Sequence, residues 1–384
     1  MKRKVCVVVT ARPSYSRVKT ALKAIHDHPD LELQLVIGAS ALLERYGSAV
    51  NYIEEDGFTI AERVYMVIEG ATLTTSAKTT GIGIMELSTT FDNLRPDVVC
   101  TIGDRYETMA TAIAASYMNI PLVHIQGGEV TGNIDEKVRH AISKLADVHL
   151  VSNEDARQRL IKMGEYEDKI HITGCPSIDI AREVAENPEL DFNPCEKYGG
   201  VGYEINPEEP YLVVMQHPVT TEYQKSREQA AMLVNIIHQL DIPTFWFWPN
   251  PDAGSDGTSG ALRTYREENP INKIRFFKNM EGKDFLRLLV HSRCIIGNSS
   301  VGIRECSYLG VPVVNIGTRQ NRRLRGKNVI DIDFKEEELK NAIRTQMNHG
   351  KFEKEKLYGD GNAGVNIADV LAKVKLEVRK VISY

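Results

Sequence analysis

Directly after the apolar run IPLVHI stands HIQGGEVTGNIDEKVRH, residues 124–140, which crowds Glu129, Asp135, Arg139 and His140 behind a Gly127–Gly128 pair. Carboxylates beside an arginine where a strand ends can take a proton from a substrate and stabilise the charge that develops. The same residues also suit a plain helix N-terminus whose acidic side chains complement the dipole. TIGDRYET offers Asp104, which reads either as a general base or as an ion-pair partner of the adjacent Arg105. MQHPVT sets His217 before Pro218, and FWFWPN ends in Asn250, whose amide can read a base or a sugar. In IIGNSSVGIRE, Gly297, Asn298, Ser299 and Ser300 lie between a buried apolar run and a helical one. Free backbone N–H groups, two hydroxyls and the positive end of a helix suit a diphosphate, and Glu305 one turn on can accept from ribose hydroxyls. Simple capping by serine, with Glu305 favourable near the dipole, is the structural alternative. TARPSYSR adds Arg12, Ser14 and Ser16, with Arg12 as a phosphate or sugar contact or as a surface charge beside a Ser14 cap. Arg319, Arg322, Arg323 and Arg325 in TRQNRRLRG read on their own as a solvated loop.

These residues need elements to hold them. KVCVVVT, LELQLVIG, DVVCTIG, IPLVHI, VHLVS and KIHITG recur through the first half, each followed by a helical pattern. PYLVVMQ, IPTFWFW, IRFF, CIIGNSS, VPVVNIG and NVIDID do the same in the second. Continuous apolar runs suit parallel strands buried on both faces, and the spacers suit crossover helices. The expected fold class is α/β, two doubly wound Rossmann-like domains in series facing a cleft. The expected boundaries are 1–186, a Pro- and Gly-rich connection at 187–209, and 210–364, with a last helix at 365–384 packing back on the first domain. Ligands of open α/β sheets bind beyond the carboxyl ends of the strands, and the motifs above all lie at such ends.

At 384 residues and 42% hydrophobic content the chain can bury two cores. A net charge of -5 without a long basic stretch argues against nucleic acid or a membrane surface as partner. Cys6, Cys100, Cys175, Cys195, Cys294 and Cys306 lack the spacing of a zinc site and fit a reducing cytoplasm. Neither a signal segment nor a run of roughly 20 apolar residues is present, so the expected location is cytoplasmic. The absence of GxGxxG and of a Walker lysine counts against NAD and P-loop ATP chemistry, and no cofactor is expected.

Taken in order, RPSYSR, GDRYE, HIQGGEVTGNIDEKVRHAISKLAD, GCPSID, QHPVT, GNSSVGIRE and GTRQNRR resemble the UDP-N-acetylglucosamine 2-epimerase family over nearly the whole chain, and its hydrolysing branch most closely. The resemblance implies a glycosyltransferase B type fold. It also implies conversion of a UDP-linked sugar to a free mannosamine of the kind used for sialic-acid-like sugars, by loss of UDP, proton transfer at C2 and hydration. Two carboxyl groups on opposite sides of the ring would serve, with Asp104, Glu129 and Asp135 as candidates. By the same likeness Ser299 and Ser300 hold the diphosphate and Glu305 the ribose. Arg12, Ser16, Arg105, His217 and Arg319 line the nucleotide and phosphate region, His217 assisting departure of the diphosphate, and Asn250 sits near the nucleotide. His140 supports the sugar site together with Arg139. Many relatives carry a glutamate where this chain has Gln126, and an amide exchanges no proton near neutral pH, so either Gln126 orients the sugar while Glu129 or Asp104 moves the proton, the favoured expectation, or the chemistry is altered. The family likeness further implies a homodimer or homotetramer, and a GDP-linked donor would use the same catalytic groups.

Overall fold

The computed structural model describes residues 1–44, 49–69, 72–131, 134–249 and 254–382. The chain forms two compact units, one made of Met1–Glu129, Asp135–Ile180 and Tyr358–Tyr384, the other of Val130–Ile134 and Ala181–Leu357. In the first, β1 (Arg3–Val9), β2 (Leu31–Gly38), β3 (Ile60–Val64), β4 (Val98–Ile102), β5 (Leu122–Ile125), β6 (Val148–Val151) and β7 (Ile170–Ile172) form one sheet. Its order is β3-β2-β1-β4-β5-β6-β7 and every pairing is parallel. The direction of winding reverses between β1 and β4, which makes the strand ends there a natural ligand position.

Both faces of this sheet are covered at β1, β4, β5 and β6, which is why those strands read as unbroken apolar runs. Successive side chains of a strand point to opposite faces. Val5, Val7 and Val9 of β1 accordingly pack with Leu22, Ile25, Ile367 and Leu371, while Cys6 and Val8 pack with Leu87, Phe91, Ala110 and Ile142. The first set draws on the helices Lys19–Asp27 and Ala363–Lys373, so the last helix completes the core that the first strand begins.

In the second unit β8 (Val201–Gly202), β9 (Leu212–Met215), β10 (Thr244–Phe247), β11 (Ile274–Phe277), β12 (Cys294–Gly297), β13 (Val313–Ile316) and β14 (Val329–Ile332) are ordered β14-β13-β12-β9-β10-β11-β8. Six of these strands are parallel, and β8 joins antiparallel at the edge beside β11. Read from β11, the six repeat the arrangement of the first sheet, with the reversal between β9 and β12. The α/β class of two doubly wound units is the class the chain adopts.

Two expectations change. The segment 187–209 holds a helix, Pro194–Tyr198, and the edge strand β8. Asn193 caps that helix through its Cys195 and Glu196 N–H groups, and Pro194 sits in its first turn, where a missing N–H costs nothing. The last helix, expected over 365–384, ends at Lys373. Beyond it Lys380 donates to the carbonyls of Ser143 (3.1 Å) and Ala146 (2.6 Å) and pairs with buried Glu165, bonds that the extended chain makes and that replace helical continuation. Among the described residues no helix is long and apolar enough to cross a membrane.

Candidate active site

In the first unit the chemistry-bearing residues gather where β4, β5 and β6 end. The chain leaves β5 through Gln126 in the left-handed region (φ 66°), then Gly127 and Gly128 (φ 74°). A Cβ on Gly128 would lie 2.4 Å from the Ala156 carbonyl oxygen, and one on Gly127 would lie 2.7 Å from Nδ1 of His124. The glycine pair therefore allows the turn to press against its own unit. His124 braces it from below. Its Nε2 lies 2.8 Å from the Gly103 carbonyl and so carries the proton, leaving Nδ1 to accept from the Ser143 hydroxyl at 3.0 Å. Burial pushes this imidazole down to about 3, so it stays neutral as the brace requires.

The turn delivers Glu129, only 3% exposed, whose carboxylate accepts from the Ser152 hydroxyl at the end of β6 at 2.5 Å. Arg139, on the helix Ile134–Leu145, donates to the Glu129 backbone carbonyl at 2.8 Å and pairs with the carboxylate of Asp104, which follows β4. One buried guanidinium thus ties two carboxyl-bearing strand ends together. Arg159 adds a 3.3 Å hydrogen bond to the Gly128 carbonyl. Asp135 stands in the first turn of the Arg139 helix, partly exposed and four residues earlier, hence on the same face. His140 lies 3.6 Å from Glu136, and its ring is pushed down by burial and by neighbouring Arg139. Its Nδ1 is buried without a hydrogen-bond partner among the described residues.

Gln126 donates from its amide to the thiol of Cys175 at 3.0 Å. Arg105, adjacent to Asp104 in sequence, ion-pairs with Glu107 at 3.2 Å. Ser16 closes the short helix Arg12–Ser16 that follows β1. The side chain of Arg12 and the whole of Asn250 lie outside the described residues.

In the second unit the reversal between β9 and β12 is held by Asn298. Its side-chain oxygen accepts from the His217 N–H at 2.8 Å, its side-chain nitrogen donates to the His217 carbonyl at 2.8 Å, and its own N–H reaches Met215. Its carbonyl accepts from Gln320 at 2.9 Å and from Arg319 at 3.3 Å. His217, Asn298 and Arg319 are brought together by this one amide residue. Gly297 (φ 135°) makes the approach possible, since a Cβ there would stand 2.2 Å from the Met215 carbonyl oxygen. Ser299 caps the helix Ser300–Ile303, accepting from Val301 at 3.5 Å. Glu305 follows, buried, with its Oε2 lacking a hydrogen-bond partner among the described residues. A buried carboxylate oxygen left bare is costly, and a donor hydroxyl on a ligand would relieve it.

Two positions escaped the sequence reading, and a third was read too narrowly. Arg139, read only as support, is the link between Asp104 and Glu129. Ser152 closes the run VHLVS next to β5 in the sheet, and that strand-end position was its one available signal. Gln320 was hidden within an arginine-rich loop.

The profile of the UDP-N-acetylglucosamine 2-epimerase family matches residues 23–372. The chain is 32% identical over 376 residues to the hydrolyzing UDP-N,N'-diacetylbacillosamine 2-epimerase of Legionella pneumophila, covering 98% of this chain and 97% of that one. It is 33% identical over 362 residues to a UDP-N-acetylglucosamine 2-epimerase of Neisseria meningitidis, covering 94% and 92%. The crystal structure of UDP-GlcNAc 2-epimerase from Neisseria meningitidis bound to UDP-GlcNAc superimposes with a TM-score of 0.80 over 97% of this chain and 100% of that chain, at 17% identity, a likeness of fold. With a family match that spans most of the residues, and with relatives aligned almost end to end, the chain belongs to the UDP-N-acetylglucosamine 2-epimerase family.

Proposed function

We propose that the protein is a hydrolysing 2-epimerase, converting a UDP-linked N-acetylglucosamine-type sugar to the free N-acetylmannosamine-type sugar and UDP. The observation that carries this is the pair of carboxyl groups, Asp104 and Glu129, tied through buried Arg139. The full-length likeness to a hydrolyzing enzyme supports the branch. A C2 proton next to an acetamido group is weakly acidic, so a carboxylate must take it as the C1–O bond to UDP breaks. The product of that elimination is a glycal-like alkene. Water then adds its oxygen to C1 and gives up a proton to a carboxylate, while a carboxylic acid returns a proton to C2 on the opposite face, which inverts that carbon and releases the free sugar. Asp104, Glu129 and Asp135 are the proton carriers in this reading, with Gln126 and His140 orienting the sugar.

The second unit would hold the nucleotide. Ser299 and Ser300 would receive the diphosphate and Glu305 the ribose hydroxyls, its bare Oε2 awaiting a donor. His217 and Arg319, joined through Asn298, would stabilise the departing diphosphate, with Arg12, Ser16 and Arg105 lining the phosphate region and Asn250 the nucleoside. The cysteines among the described residues are free and buried, which suits a reducing cytoplasm, and a homodimer or homotetramer is the assembly proposed.

Resolving the products from UDP-N-acetylglucosamine and from UDP- and GDP-linked diacetamido sugars in deuterium oxide tests the reading. Free UDP, with a free mannosamine-type sugar deuterated at C2, is the expected result. An intact nucleotide-linked mannosamine without free UDP would show the non-hydrolysing reaction instead. Turnover only when an acceptor sugar is added would show a glycosyltransferase, and absence of C2 exchange a silent binder.

A further inference from the structure

Ser152 follows the last residue of β6, a strand whose VHLV side chains are all buried, and it is itself 1% exposed. Packing alone would be satisfied there by alanine. A buried hydroxyl needs a partner, and this one reaches past its own backbone to the neighbouring strand end, where it donates to Oε1 of Glu129 at 2.5 Å. That distance lies in the range of hydroxyl–carboxylate hydrogen bonds, which are stronger than neutral ones. Glutamate has three rotatable side-chain bonds, and in the turn after β5 its backbone is already anchored, since Arg139 holds the Glu129 carbonyl and Arg159 the Gly128 carbonyl. The hydroxyl adds a hold on the side chain itself.

We infer that Ser152 is a positioning residue for the proton transfer, pinning one oxygen of the Glu129 carboxylate and favouring its ionised form. The inference rests on the reading of Glu129 as a proton carrier. Among the described residues, the charged and titratable groups around that turn include Arg139 and His140 on the helix Ile134–Leu145, Arg159 with its partner Asp155 on the helix Glu154–Lys162, Asp104 after β4, His124 in β5 and Cys175 beside Gln126. Removing the serine hydroxyl alone leaves the chemistry of each of these groups unaltered. A donor to a carboxylate favours its charged form, so loss of the donor must raise the pH at which Glu129 takes up a proton.

The test compares wild type with Ser152→Ala and Ser152→Thr, first by titrating the 13C-labelled Glu129 carboxyl by NMR, its resonance assigned by its absence in Glu129→Gln. In Ser152→Ala the midpoint should rise by about one pH unit or more, the scale of a hydrogen bond to a charged group. Ser152→Thr, which keeps the hydroxyl, should stay near wild type. An unchanged or lowered midpoint in the alanine variant overturns the inference. This readout needs no turnover, so it stands apart from the assignment of the activity, which the products decide. In the pH–rate profile the limb that belongs to Glu129 should move upward by the same amount, the acid limb if Glu129 takes the C2 proton and the alkaline limb if it returns one. A profile in which kcat falls equally at every pH would reduce Ser152 to a packing residue.

Discussion

Arg139 is 1% exposed, and a guanidinium buried that far is destabilising by several kcal/mol unless it is paired and hydrogen-bonded. Asp104 supplies the charge and the Glu129 carbonyl an acceptor, so the cost of burial is offset at the point where two candidate proton carriers have to be held. A lysine, a point charge on a flexible stem, lacks the planar fork that serves both partners. Glu129→Gln keeps the size of the side chain and an oxygen for Ser152 to donate to, but it removes the exchangeable proton. It should lower turnover by roughly a hundredfold or more while leaving UDP affinity nearly unchanged, as steady-state kinetics and UDP titration would show. Ser300→Ala should do the reverse, weakening UDP severalfold for a loss of about 1 kcal/mol in hydrogen bonding, with kcat at saturation little changed. If both variants lost the same property, the division of labour between the two units would be wrong. Sequence showed which residue types stood at the strand ends but not their partners. Arg105 adjoins Asp104 in the chain, yet among the described ion pairs Asp104 meets Arg139 and Arg105 meets Glu107.

Strands announce themselves in the sequence where their residues are mostly apolar. Each apolar run recognised in the sequence becomes a strand, whereas β3, IAERV with three exposed residues, and the two-residue β8 carry too little apolar signal to stand out. Periodicity located the last helix but carried it too far, since Val370, Leu371, Val374 and Leu376 continue a pattern that the chain leaves after Lys373. Its beginning was read to within two residues, but the cap that sets it was invisible, because it comes from another element. Asp179, in the helix Pro176–Glu186, accepts from the N–H groups of Ala363 (2.8 Å) and Gly364 (2.7 Å) and from the Thr20 hydroxyl (2.8 Å). This explains the acidic end of GCPSID as a tertiary N-cap. Asp179→Ala should lower stability by about 1–2 kcal/mol, the size of a lost cap, seen as a drop in the urea midpoint. Asp179→Asn should retain part of it. A midpoint unmoved by the alanine change would deny the cap an energetic role.

At the scale of the whole molecule, acid should loosen the fold through two buried sites. Burial pushes the Glu165 carboxyl up, but hydrogen bonds from His149, Lys144 and Lys380 more than offset this and hold it at about 2. Its folded value lies below the unfolded one, so its stabilising contribution is complete above about pH 4.5 and is lost as the pH falls towards 2. His124, held at about 3 by burial, acts in the same direction from about pH 6.5 downward, because it must be neutral in the fold. Lys380→Met removes one of the three donors to Glu165. Its deficit in urea stability relative to wild type should therefore be larger at pH 7 than at pH 3, and a deficit that grows on acidification would contradict the pairing.

The return of the chain to its starting unit has a consequence for how the protein is made. Arg3 donates to the carbonyls of Leu371 and, at 3.0 Å, of Val374, and Val5, Val7 and Val9 share one core with Ile367 and Leu371. A growing chain emerges at about 5–20 residues per second, and the first strand is exposed long before the helix that covers it. Apart from Val130–Ile134, the second unit is one stretch, Ala181–Leu357, made before the helix that covers β1. The first unit cannot complete its core until that helix is made, and a chain cut at Leu357 would leave one face of β1 uncovered.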